Sequence, residues 1–420
     1  GIKSFPSSSI MRGKVGSGWN ISTYHVEVRK DEISEDEAVE KLACTFKGVI
    51  KDFNQVDNIG LSLSGGLDSR ILLAAGFKGK TFTWGYQEGN DEIKLAKQSA
   101  KVTGNNWEFI TVTPECFLDH NGIGDEFREG LDLSVQSYAL DVYPAVKNHG
   151  IKGLMTGLAL DFTMASSYLP TYAHETNNEE SFLNFVFSKA ESFKLEERNK
   201  LINSKEVKDE IDLLTFDIKQ KITTNTHESI SQRVVSFFMD SRVRRCIFHR
   251  QQWQRAFVED YIPTFDNRLI DVLNHFNAAE LQGHMIFQKV LAQLNNNLLK
   301  VPYQGTMLPA NVPVKYWQEG TRIEQEREKL YRKIYAESNG TVFIPYNRYY
   351  SNFDEWLRMN PSWKAYIRSL LLSDDTQLSE FLDMDVLKTW IELQESGEGN
   401  YFSKIIQIMS LEKTLRTHFA

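Results

Sequence analysis

The stretch Ser64-Gly65-Gly66-Leu67-Asp68-Ser69 constrains this chain more than any other. The apolar run Ile59-Gly60-Leu61-Ser62-Leu63 precedes it, and Ile71-Leu72-Leu73-Ala74-Ala75 follows Arg70. The pattern predicts a buried strand, a tight glycine turn and the opening of a helix. Two adjacent glycines let the backbone approach a ligand. The turn's amides and hydroxyls, with the positive end of the following helix, can hold an oxyanion without any lysine. Asp68 suits that place if a magnesium ion bridges its carboxylate to a polyphosphate. The alternative is a serine-rich turn in an unrelated fold; the agreement of strand, motif and helix argues against it.

Strand and helix alternate around this loop. Residues 34–53 carry Ala38, Leu42, Phe46, Val49 and Ile50 at helical spacing, with Ser34 three residues before Glu37 as a capping box. Residues 80–85 predict a second strand, 91–102 a helix with Ile93, Ala96 and Ala100 on one face, and 107–112 a third strand. Such close alternation implies parallel crossovers and an α/β, doubly wound parallel sheet, in which ligands sit beyond the strands' carboxyl ends. Residues 141–147 predict a helix, and 150–157 another buried strand ending in a turn before Asp161. Taken alone, Asp161 fits a helix N-cap.

The remaining composition serves to exclude. A chain of 420 residues, 41% hydrophobic, can build one large domain or two ordinary ones. A formal net charge of −8 argues against a dominant nucleic-acid surface. Cys44, Cys116 and Cys246 are far apart with no C-x-x-C pair, so neither a disulfide framework nor a zinc site is expected, and a reducing cytoplasm fits best. The lack of a long apolar run or signal-peptide pattern predicts neither membrane insertion nor secretion. Gly79-Lys80-Thr81 lacks the upstream glycine of a Walker loop, position 74 being alanine, and Gly122-Ile123-Gly124 lacks the third glycine of a dinucleotide fingerprint. The run Arg242-Val243-Arg244-Arg245 through Arg250 reads better as a helix with an outward basic face than as a nucleic-acid surface, because Trp253, Phe257, Glu259 and Asp260 dilute it. Trp317, Trp356, Trp363 and Trp390 are expected core anchors.

The first loop matches the pyrophosphate-binding loop of the N-type ATP pyrophosphatases (PP-loop, adenine nucleotide alpha hydrolase-like), and its surroundings resemble the synthetase domain of B-type asparagine synthetases over roughly residues 1–310. The resemblance implies an arm at 1–35 like the linker from a glutaminase domain, visible in Ile2-Lys3-Ser4-Phe5-Pro6 and alternating stretches such as residues 23–28. It implies an ATP-pyrophosphatase domain at 36–310; the polar, charge-rich pattern of about 169–232 predicts a helical insertion in it, and the pattern of 311–420 predicts a largely helical C-terminal region. Phe82-Thr83-Trp84-Gly85 stands where the relatives read adenine, and Asp91-Glu92 with Ala96 matches their acidic helix start, although Asn105-Asn106-Trp107 replaces their histidine.

The second signature of the relatives is a serine-glycine-glutamate-glycine-x-aspartate-glutamate turn. Here it reads Thr156-Gly157-Leu158-Ala159-Leu160-Asp161-Phe162, keeping Gly157 and Asp161 but replacing the catalytic glutamate by Leu158 and the outer one by Phe162. A leucine cannot act as a base. Farther on, Glu259, Pro263 and Asp266 stay in register with an acceptor-side segment while Tyr261 replaces its arginine, and Arg250-Gln251-Gln252-Trp253-Gln254 replaces an aspartate-arginine-x-serine-methionine run. The relatives' lysine in a proline-containing loop falls on Lys300 or, in another alignment, is lost to Tyr303.

The resemblance thus implies a ligase that uses ATP and Mg2+ to adenylate a small-molecule or peptide carboxylate. Ammonia or an amine would then take the acyl group. Ser64, Gly65, Gly66 and Ser69 would hold pyrophosphate; backbone at Leu63, Trp84 and Gly157 would line the nucleotide. Asp68 and Asp161 would bind metal, and Lys300 would steady the transition state. No cysteine precedes Cys44, so the residues shown are not expected to hydrolyse glutamine, and a separate glutaminase is one source of the ammonia. Two other readings stand beside this one: a degenerate nucleotide-binding relative acting as sensor or partner subunit, favoured by Leu158 and Phe162, and a transfer-RNA-modifying enzyme, disfavoured by the acidic balance.

Overall fold

The computed structural model describes residues 5–16, 18–24, 33–118, 122–128, 130–165, 167–170, 173, 178–190, 193–227, 229–276 and 278–419. Most of the Ile2-Lys3-Ser4-Phe5-Pro6 stretch and residues 25–28 of the expected arm lie outside them. What is described of the arm is an antiparallel hairpin of β1 (Ser9–Gly13) and β2 (Trp19–Thr23), almost wholly exposed. Next, α1 (Glu35–Phe53) is capped by the Ser34 side chain, which accepts from Glu37 N–H at 3.2 Å, and it buries Ala38, Leu42, Phe46, Val49 and Ile50.

The chain then enters a five-stranded sheet through β3 (Ile59–Ser62) and α2 (Asp68–Ala74), followed by β4 (Lys80–Gly85), α3 (Asp91–Thr103) and β5 (Trp107–Thr111). It returns through α4 (Ala139–Asn148), β6 (Gly153–Met155), α5 (Leu160–Ala165) and, much later, β7 (Glu259–Tyr261). All neighbours are parallel, in the order β5-β4-β3-β6-β7. The chain moves outward on one side of β3 and then on the other, so β3 and β6 flank the switch point where crevices form at strand carboxyl ends.

Both faces are covered, as a doubly wound sheet requires. On one, Leu61 and Met155 pack with α1, α2 and a later helix α6 (Met285–Asn295). On the other, Phe82, Ile110 and Leu154 share a core with α4 and the C-terminal helices, among them α7 (Phe353–Met359) and α8 (Phe402–His418). Gly60 is required there, because a Cβ would sit 2.9 Å from the Phe82 ring. The four tryptophans expected in the core are buried. The helices Glu179–Ala190, Lys205–Thr223 and Ile230–Phe238 contribute Phe182, Val186, Ile222 and Val234 to a smaller cluster of their own. Among the described residues the three cysteines are free, and no helix is long and apolar enough to cross a membrane.

Candidate active site

The loop after β3 closes on its own hydroxyls. Ser64 N–H donates to Ser69 Oγ at 3.0 Å, the two hydroxyls lie 3.2 Å apart, and Gly66 N–H donates to Ser64 Oγ at 3.2 Å. Side chains with short reach can do this only across a tight turn, which the paired glycines permit. Gly65 is walled in: a Cβ there would lie 3.1 Å from both Gln304 Cβ and the Glu92 carbonyl oxygen.

The turn after β6 comes directly against this loop. A Cβ on Gly157 would sit 2.6 Å from Asp68 C and 2.7 Å from Ser69 N, so only glycine admits the approach. Two residues on, Ala159 holds φ at +66°, a left-handed conformation unfavourable to a side chain, at the corner that turns the chain into α5. These contacts bring Asp68 and Asp161 together. Burial, then the neighbouring Asp161 charge, pushes the Asp68 carboxyl well above its ordinary range, against a bond from Asp161 N–H. Asp161 is also raised by burial, against a 3.1 Å bond from Ser167 Oγ and the charge of Arg242.

Two half-buried like charges are costly side by side and are relieved by a divalent cation between them. No group of three or more metal-ligating His, Cys, Asp or Glu side chains occurs among the described residues. The chain therefore offers such an ion two carboxylates, a set that suits Mg2+ completed by phosphate oxygens and water.

Two distant segments build the rest of the wall. Arg70, fully buried, donates to the carbonyls of Val301 and Pro302 at 2.8 Å, Gly65 at 3.1 Å and Leu298 at 3.4 Å. Burial lowers its guanidinium to about 10. It thus clasps the loop to the segment ending in Tyr303, whose phenol is pushed up to about 12 by burial and by the charges of Asp68 and Asp161. Lys300, expected to face the nucleotide, is exposed and donates to Asn297 Oδ1 at 3.1 Å; Tyr303 is the residue of this segment that feels the two carboxylates.

Gln304 N–H donates to the Gly65 carbonyl at 3.2 Å, and buried Arg348 fixes Gln304 and Gly305 through their carbonyls at 2.8 and 2.6 Å. The segment carrying Arg348 also holds the start of α3: Glu92 N–H donates to the Arg348 carbonyl, and Tyr350 N–H to Glu92 Oε2 at 3.1 Å. Burial raises the Glu92 carboxyl to about 7 against that bond and the Arg348 charge.

Leu63 and Trp84 stand at the sheet's carboxyl end. Leu63 N–H donates to the Phe82 carbonyl, and its own carbonyl accepts from Thr83 Oγ1 at 2.7 Å. β4 is paired to β3 only as far as Phe82, so Trp84 and Gly85 extend past the end of β3 beside the loop. On the opposite side, Ala159 and Phe162 pack on Val243 with Leu158 against them, so apolar contacts occupy the positions of the relatives' two glutamates.

The basic run forms a π-helix, Met239–Ile247, a geometry frequent at functional sites. As expected, its Arg242, Arg244 and Arg245 are exposed. Arg242 lies over the Tyr168 ring at 5.9 Å and acts on Asp161, while Arg250 pairs with buried Asp132 at 2.8 Å. Asp266 caps the helix Asn267–Leu273 and is bound by Arg268.

The asparagine synthase family model matches residues 53–280. The matched span holds the loop, both aspartates and the π-helix. Among solved structures, NMN synthetase from Francisella tularensis is similar at 12% identity over 52% of this chain and 97% of that one, with a TM-score of 0.24. No curated protein sequence matches the chain.

Proposed function

On the premise that the chain belongs to the asparagine synthase family, we propose that it is an ATP-dependent, AMP- and pyrophosphate-forming amide ligase. The reading rests on one observation, the contact of the two turns that sets Asp68 and Asp161 side by side at the switch point. A substrate carboxylate oxygen would attack the α-phosphorus, and pyrophosphate would leave into the loop. There, Ser64 and Ser69 would exchange their mutual hydrogen bonds for phosphate oxygens, with the loop amides beside them. Asp68 and Asp161 would hold Mg2+, which supplies charge neutralisation to the leaving group. Tyr303, set near both carboxylates, would orient a phosphate oxygen by its hydroxyl. Nitrogen of ammonia or of an amine would then attack the acyl carbon and release AMP. With Leu158 where a base would stand, the acceptor carboxylate would be something other than aspartate, such as a peptide or a sugar acid.

A second reading, nucleotide binding without ligation, is favoured by the apolar packing at Leu158 and Phe162. ATP/pyrophosphate exchange over a panel of carboxylic acids separates the two. Exchange with at least one acid, lost in Asp68→Asn, supports the ligase. Tight MgATP binding by calorimetry with no exchange supports the sensor. Neither binding nor exchange sinks both.

A further inference from the structure

The turn after the π-helix carries a guanidinium that the proposed chemistry leaves unused. Arg250 is held from behind: its Nε donates to Asp132 Oδ2 at 2.8 Å and to Oδ1 at 3.0 Å, and the Asp132 side chain is wholly buried. The other end of the guanidinium is open. Among the described residues Nη1 and Nη2 have no oxygen partner, and 37% of the side chain is exposed. The Cys246 thiol, a weak partner, lies against it and donates to the same Asp132 carboxylate. Two free N–H groups fixed in one plane by a buried carboxylate are suited to take a carboxylate or phosphate through two hydrogen bonds.

Arg250 also stands beside the proposed nucleotide site. Its charge acts on the phenols of Tyr138, at the start of α4, and Tyr350, whose rings lie 6.0 Å apart. The Trp84 side chain, from β4, hydrogen-bonds Tyr138, and a Cβ on Gly85 would meet the Tyr350 carbonyl oxygen at 3.2 Å. From the opposite side Arg242 acts on both Cys246 and Asp161. Because Asp132 cancels the charge of Arg250, the exposed Arg242 supplies the second positive charge that an incoming anion would meet here.

We propose that Arg250 binds a second anionic group of the acceptor, a carboxylate or phosphate on the same molecule as the carboxylate to be activated, so that the acceptor is a dianion. That the dianion is an acceptor rests on the ligase reading; that Arg250 holds it does not.

Calorimetric titration of the full chain in excess MgAMPCPP, a non-hydrolysable ATP analogue, tests this with succinate, glutarate, adipate, their monomethyl esters and 3-phosphonopropionate. At least one dianion is expected to bind tenfold or more tightly than the monoester of like length, and the better of the diacids and the phosphonate tells carboxylate from phosphate. Arg250→Lys keeps the charge but not the fork and is expected to weaken that dianion at least tenfold. Asp132→Asn with Arg250→Gln removes both charges together, so that neither is left buried alone, and is expected to erase the preference over the monoester. No dianion binding, equal affinity for dianion and monoester, or a preference unchanged in either variant overturns the proposal; should Arg250→Lys not fold, the double variant still decides. Dianion binding through Arg250 without dianion-dependent ATP/pyrophosphate exchange keeps this site and removes the ligase reading. Exchange with monoacids and no preference for dianions does the reverse.

Discussion

Gly157→Ala tests the contact on which the site depends. The added methyl would lie 2.6 Å from Asp68 C, 2.7 Å from Ser69 N and 2.9 Å from Asp68 O, whereas ordinary contact begins at 3.4 Å. All three are main-chain atoms, so no side chain can swing aside, and the two turns must part by about 0.8 Å. Overpacking of this kind costs about 1 to 3 kcal/mol. Parting the turns also pulls Asp161 from Asp68, weakening any ion they share. The expected result is a modest loss in urea midpoint with MgATP affinity falling roughly tenfold or more, about 1.4 kcal/mol, by calorimetry. A variant that binds MgATP like wild type would show that the approach of these turns does not make the site.

Three further perturbations address its neighbours. Asp161→Asn removes the like charge that raises Asp68; melting in EDTA should rise by about 2 °C while the stabilisation given by MgATP shrinks, and a lower melting temperature in EDTA would contradict their proximity. Arg70→Met removes the guanidinium from the carbonyls of Val301, Gly65 and Pro302, of which Gly65 and Val301 keep backbone donors in Gln304 and Ala310; a loss of about 2 kcal/mol or more is expected in urea denaturation, and a change below about 1 kcal/mol would refute the clasp. Glu92 ionises near 4.5 unfolded but near 7 folded, so the native state keeps a proton that the unfolded chain has lost. Stability should fall as pH rises across that window, by about 3 kcal/mol, and stay level above it. Glu92→Gln should match wild type near pH 5 and exceed it at pH 8; parallel pH curves would disprove this.

The sheet and the loop were legible because their causes are local. A buried strand, two glycines and a helix face lie within a dozen residues of Ser64, and β4 and α3 start where the periodicity puts them. The pairing of Asp68 with Asp161 could be expected from the resemblance, but the reason Gly157 is needed is a contact between main chains 89 residues apart in number, visible only when folded. The basic run carries exposed Arg242, Arg244 and Arg245 as expected, but that its turns are those of a π-helix and that Arg242 acts on Asp161 is visible only when folded.

From its own pattern the chain specifies a parallel, doubly wound sheet and a tight glycine turn after β3, since short-range sterics and hydrophobic period settle these. Only the tertiary structure decided what stands around that turn: Tyr303 rather than Lys300, the clasp of Arg70, and the Arg348 segment. The physical reason is that both arginines bind main-chain carbonyls. Every residue offers that acceptor, so no pattern of side chains announces which ones a distant guanidinium will find.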